Sequence, residues 1–263
     1  VKSVGISLSG GGSRGVAHVG ILKALEEAGI KISKVTGTSA GAIVGAFYCS
    51  GFSPDCIMDI IREINLIGMM RPALKRAGLL KLENTIPTFK KYIKNDSFSE
   101  LKIPLVVSAT NLGSGLSDYL STGPLIMSVL ASCAVPFLFQ PININDNMYI
   151  DGGILNNLPI EPLEGQCDLI IGSSCNPVAG NFVPTGLKSL AERVLLLGAG
   201  VSTRQKIERC DLFLEPDELK CIGGFNFSKA DDIFQIGYSY GRAMMPEIKQ
   251  KLSEKAAILN KVE

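Results

Sequence analysis

Twice in the first fifty residues a short apolar run breaks into glycines and resumes as a helical period. Val4 to Leu8 leads into Ser9-Gly10-Gly11-Gly12-Ser13-Arg14-Gly15, after which Val16, Val19, Leu22, Ala24 and Leu25 recur at helical spacing until Gly29. Lys34 to Thr36 leads into Gly37-Thr38-Ser39-Ala40-Gly41, and Ala42 to Tyr48 continues as a second helix. Two consecutive strand-turn-helix units predict an α/β fold, a three-layer α/β/α arrangement around a mostly parallel, doubly wound central sheet. Such a sheet carries its function at the carboxyl ends of its strands, where both glycine turns lie.

The rest of the chain extends this pattern without a repeat or a linker, so one domain over residues 1–263 is expected. Ser53-Pro54-Asp55 opens a helix through Ile64, and residues 83–98 read as a surface helix with Lys90, Lys91 and Lys94 outward. Pro104 to Thr110 is a strand that pairs with Gly115 to Ser121, and Pro124 opens a helix to Ser132. A hairpin follows over Ile142–Ile144 and Met148–Ile150, then a buried strand over Asp168–Ser173 and a long helix over 187–209. A short strand over Asp211–Leu214 and one helix over Asp231–Ala257 close the chain.

Several classes of function are disfavoured. With 26 basic and 25 acidic side chains there is no global field to attract nucleic acid. Seven cysteines, an odd number without a C-x-x-C pair, read as reduced thiols in a cytosolic protein. One histidine and no clustered ligand spacing argue against a metal. No signal peptide precedes the first strand, although a start at valine suggests missing upstream sequence. No apolar run approaches the ~20 residues that span a bilayer, so membrane contact is expected to be peripheral. The basic, methionine-containing stretch from Leu66 to Leu82, within a segment 66–98, is a candidate cap or lid that meets lipid; an ordinary helical excursion explains it equally well.

Function must then come from the turns. Gly37, Ser39 and Gly41 form G-x-S-x-G, a turn so sharp that glycine flanks the serine and its hydroxyl stands exposed, which makes Ser39 a candidate nucleophile. Gly10, Gly12 and Gly15 also fit the dinucleotide fingerprint, but the acid that should hold a ribose is absent from the end of the second strand. Both readings share free N–H groups at a helix start, which favour negative charge, and Arg14 adds a cation unless it simply faces solvent. A serine nucleophile needs a base. The lone His18 lies on the helix behind the glycine loop and reads better as a packed, hydrogen-bonded side chain. Asp151, delivered from a strand end into Gly152-Gly153, is the other candidate, and an Asx-turn role explains it equally well.

Three blocks in order, Gly10 to Gly15, Gly37 to Gly41 and Asp151-Gly152-Gly153, resemble the signature of the patatin-like phospholipases. Ala131-Ser132-Cys133-Ala134-Val135-Pro136 with Phe139 and Pro141, and Asn156-Asn157-Leu158-Pro159, are similar to further pieces of its bacterial, small single-domain members. The resemblance implies a patatin-like fold and a Ser39–Asp151 dyad working through an acyl-enzyme on a phospholipid, lysophospholipid or other fatty ester. It also implies an oxyanion hole formed by Gly10, Gly11 and Gly12 with Arg14, and no metal or other cofactor. The expected setting is cytoplasmic, with peripheral contact at membranes. A non-catalytic relative that binds an acyl lipid or a protein is the second reading, and a nucleotide-binding oxidoreductase the third.

Overall fold

The computed structural model describes residues 1–63, 71–72 and 80–259. The expected three-layer α/β/α architecture is found. Five parallel strands form its centre: β1 (Val4–Leu8), β2 (Lys34–Thr38), β5 (Leu105–Asn111), β9 (Leu169–Ser173) and β10 (Leu212–Leu214), in the order β10-β9-β1-β2-β5. Every residue of β1, β5 and β9 is buried, as strands covered on both faces must be.

Three antiparallel strands complete the sheet at β5. β6 (Ser117–Leu120) pairs along its outer edge, and β7 (Ile142–Ile144) with β8 (Asn147–Asp151) form the predicted hairpin. The register gives β5 an unusual neighbour pattern. Thr38 of β2 lies opposite Ser108, and Asp151 of β8 lies opposite Ala109. Because β6 already faces residues 107–110, β2 and β8 share the other edge of β5 and meet there end to end.

The helices follow the expected order. α1 (Val16–Glu27), α2 (Ala40–Cys49) and α3 (Pro54–Glu63) lie close to their predicted bounds. The Leu66 to Leu82 stretch falls largely outside the described residues; within it, β3 (Arg71–Pro72) pairs with β4 (Leu80–Lys81). The expected surface helix over 83–98 is shorter, α4 (Ile86–Tyr92): Pro87 stands in its first turn and Ile93 is already extended, while Phe89 turns inward to stack on Phe47 with centroids 5.7 Å apart. Its lysines remain exposed, as expected. α5 spans Leu125–Ser132 and α6 spans Leu187–Arg204. The long helix expected over 187–209 thus stops five residues early, in a turn that lets Lys206 reach inward to Glu161 at 2.7 Å.

The final helix is two. α7 (Ala230–Ala243) is capped by Met244, and α8 (Met245–Leu259) begins with Pro246 at its second position. Proline has no N–H for the carbonyl four residues back, so the ladder cannot run through it. α7 is seated closely on α1: a Cβ on Gly237 would stand 2.1 Å from the Ala17 carbonyl oxygen. Only glycine allows the two backbones this approach. Gly237→Val should therefore cost more than about 2 kcal/mol, read as a lowered urea midpoint, with α7 amides losing hydrogen-exchange protection first.

Candidate functional site

The junction of β2 and α2 is a strained turn. Ser39 sits at φ 51°, ψ −120°, a conformation that side-chain-bearing residues rarely adopt and that costs about 1–3 kcal/mol unless its surroundings fix it. α2 begins directly beneath the end of β1: a Cβ on Gly41 would lie 2.2 Å from the Leu8 carbonyl oxygen. The brace for the turn comes from far away in sequence. The Ser39 N–H donates to Ser132 Oγ at 2.8 Å, and the Ser132 hydroxyl donates to the Ser108 carbonyl at 2.6 Å. Ser132 is fully buried and ties the Ser39 turn, α5 and β5 together. Its block had been singled out in the sequence, but nothing local to it signals this contact.

Across the strand junction, the Asp151 carboxylate accepts a hydrogen bond from the Gly153 N–H at 2.7 Å, and the Ser39 hydroxyl lies near enough to draw its pKa down. The Asx-turn reading of Asp151 is met, and the same carboxyl lines the cavity together with Ser39. Burial pushes its pKa up to about 6, against the opposing pull of the Ser39 hydroxyl and the Gly153 N–H. Cys133 stands beside them: burial, the larger effect, and the nearby Asp151 push its thiol pKa well up, so it stays neutral.

His18 is placed elsewhere. It is fully buried, with Nε2 3.0 Å from the Ser9 carbonyl and Nδ1 2.8 Å from the Ser173 hydroxyl. A carbonyl can only accept, so Nε2 carries the proton and Nδ1 accepts from Ser173. Burial lowers its pKa to about 4, and the neutral ring joins β9 to the start of the glycine loop.

Ser39 and Asp151 open into a cavity of about 270 Å³, whose wall includes Gly10, Gly11, Gly12 and Arg14. The glycine loop is held from three sides. The Gly10 N–H donates to the Asn157 carbonyl at 3.3 Å, Asn176 Nδ2 donates to the Gly10 carbonyl at 2.5 Å, and the Ser13 N–H donates to the Gly224 carbonyl at 2.7 Å. Gly10 is thus already engaged, whereas the N–H groups of Gly11 and Gly12 have no partner among the described residues. Arg14 does not face bulk solvent: it is 7% exposed and its Nε lacks a hydrogen-bond partner. Burial pulls its pKa down, while Cys175, Glu192 and Glu215 nearby pull it up.

The Asn156–Pro159 block supports both loops from below. Thr38 Oγ1 donates to the Asn156 carbonyl at 2.9 Å. Lys206, buried and paired with Glu161, holds Asn156 Oδ1 and the Leu158 carbonyl. Among the described residues no group of histidine, cysteine or carboxylate side chains is arranged to hold a metal ion.

The sequence matches the profile of the family described as Patatin-like phospholipase over residues 6–164. An uncharacterized NTE family protein of Mycobacterium tuberculosis is 32% identical over 176 residues, covering 66% of this chain and 49% of its own length. Lysophospholipase nte1 of Aspergillus niger is 28% identical over 299 residues, covering 95% of this chain and 18% of its own. The chain therefore spans less than half the length of these curated relatives. VipD from Legionella pneumophila shares the fold, with a TM-score of 0.54 at 15% identity over 94% of this chain and 67% of that one.

Two outcomes are expected from this geometry. Ser132→Ala leaves the Ser39 N–H and the Ser108 carbonyl short of a partner, and urea unfolding should register a loss of about 1–3 kcal/mol. Asp151→Asn should act in the opposite direction. A carboxyl whose folded pKa of about 6 exceeds the unfolded value favours the folded state fully only at low pH. That contribution is lost as pH rises to 6 and beyond. Replacement by asparagine removes the penalty of ionisation, so stability should rise on the order of 2 kcal/mol at pH 7–8, a gain that fades as pH falls from about 6 and is gone by about pH 4.

Proposed function

The chain belongs to the patatin-like phospholipase family, and from that membership we propose that it is a serine-dependent lipid acyl hydrolase working through a Ser39–Asp151 dyad. The observation that carries the reading is that Ser39, on its strained turn, and the buried carboxyl of Asp151 line the same cavity, close enough for the serine hydroxyl to draw the carboxyl's pKa down. The lysophospholipase name of the Aspergillus relative supports a fatty-ester substrate.

In this mechanism Asp151 takes the proton as Ser39 Oγ attacks the ester carbonyl. An aspartate with its ordinary pKa is a weak base for a hydroxyl; one raised to about 6 is better matched, yet still ionised at neutral pH. The carbonyl oxygen becomes an oxyanion held by the unengaged Gly11 and Gly12 N–H groups, with the buried Arg14 cation in the same wall. Each donor is worth ~10² to 10³ in rate. Collapse of this intermediate breaks the ester bond, and Asp151 returns its proton to the departing alcohol. Water then attacks the acyl-enzyme, Asp151 accepts its proton, and release of the fatty acid restores Ser39. The helix N-terminus of α2 favours negative charge on Oγ in both steps.

A fluorophosphonate probe and an aryl ester test the reading together. Wild type should be labelled and active, and Ser39→Ala should lose both properties. Asp151→Asn should lower kcat on the order of 10³, while His18→Gln, if folded, should retain most activity. The acid limb of kcat/KM should fall near pH 6, where Asp151 gains its proton. Folded wild type that neither takes the label nor turns over the ester would sink the proposal.

A further inference from the structure

We propose that the outer face of α6 is the surface on which the protein settles against a lipid aggregate, so that an acyl chain passes directly from that surface into the catalytic cavity. The inference rests on the acyl-hydrolase reading and names where the substrate enters.

α6 is apolar on two sides. Its inner side, including Leu195, Leu196 and Ala199, lines the cavity that holds Ser39. Its outer side presents Leu187 (84% exposed), Leu190, Val194, Leu197 and Val201, all exposed. Their spacing of three and four residues places them in one stripe along the helix, roughly 21 Å long at 1.5 Å per residue. In a surface helix the residues at such spacing normally face the core. Among the described exposed side chains of α6 there is no carboxylate, and the stripe ends at the cation Arg204.

The helix that bears the stripe is also a wall of the cavity and packs against the Gly152–Ile154 segment at its mouth. Phe182 and Ile154 both line the cavity and are more than a third exposed, so they stand at its rim. Their sequence neighbours Val183 (77% exposed) and Leu155 are exposed apolar side chains as well. Arg193 lies over the Phe182 ring, 4.9 Å from its centroid, and holds this aromatic side chain at the edge of the opening. Whatever covers the stripe must also leave this rim passable. A protein partner or a second copy packed over both would close the entrance, whereas a fluid lipid surface buries the stripe and supplies the acyl chain in one contact. The area that leaves water sets the strength of such binding.

The full chain carrying Ser39→Ala, which cannot turn over, should sediment with phosphatidylcholine and phosphatidylglycerol vesicles. Adding Leu187→Glu and Val194→Glu, two exposed positions outside the cavity wall, should weaken vesicle partitioning about tenfold or more. In the Ser39 background the same pair should leave thermal unfolding and hydrolysis of a monomeric short-chain aryl ester unchanged, while hydrolysis of vesicle lipid falls. Leu197→Ser with Val201→Ser should give a smaller loss of partitioning. Vesicle binding that is absent, or unaltered by the substitutions, would overturn the proposal. So would a dimer in sedimentation velocity that the substitutions dissolve without affecting vesicle binding. If stripe-dependent vesicle binding is found while no form hydrolyses the aryl ester, the surface stands and the hydrolase reading fails.

Discussion

The site depends on a single feature of strand pairing. β5 is long enough to hold β2 along the first part of one edge and β8 along the remainder, running in opposite directions. Two strands that end head to head on a common neighbour deliver their last side chains to the same place. Thr38 and Asp151 are thus opposed to consecutive residues of β5, although 113 positions separate them in sequence. Backbone hydrogen bonds fix this meeting, so the contact between Ser39 and Asp151 requires no flexible loop to find it.

Around this junction the protein buries groups that would rather be in water, and each has a specific compensation. Lys206 meets Glu161, Asn156 and a carbonyl. His18 gives up its charge and uses both nitrogens in fixed hydrogen bonds. Asp151 and Arg14 are the less completely satisfied pair. The carboxylate keeps a raised pKa despite the Gly153 N–H and the nearby Ser39 hydroxyl, and the guanidinium keeps an unpartnered Nε at the cavity wall. Buried polar groups are normally paired, so the unpartnered Arg14 Nε is a donor left for whatever enters the cavity.

The strain at Ser39 belongs to the same economy of structure. A serine at positive φ persists because Gly41 admits the β1 carbonyl, Ser132 takes up the freed N–H, and α2 begins at once. On the other side of the cavity α6 serves as both wall and outer surface. A helix with apolar side chains on opposite faces needs two apolar neighbours, and among the described residues the outer face of α6 is exposed.

Much of the fold was legible because it is written locally. The glycines on either side of Ser39 and the alternation of strand, turn and helix reflect short-range sterics, and they determined the parallel sheet, the sharp turn at Ser39 and the packed place of His18. Asp151 was legible as a candidate, with its turn and its contact to serine undivided. Four features were decided only by tertiary structure: the occupation of Gly10, the bracing by Ser132, the inward turn of Lys206 and the exposure of the α6 stripe. Each depends on what another part of the chain places beside it. Hydrogen-bond partnership and solvent access belong to pairs of distant residues, and no property of either residue alone records them.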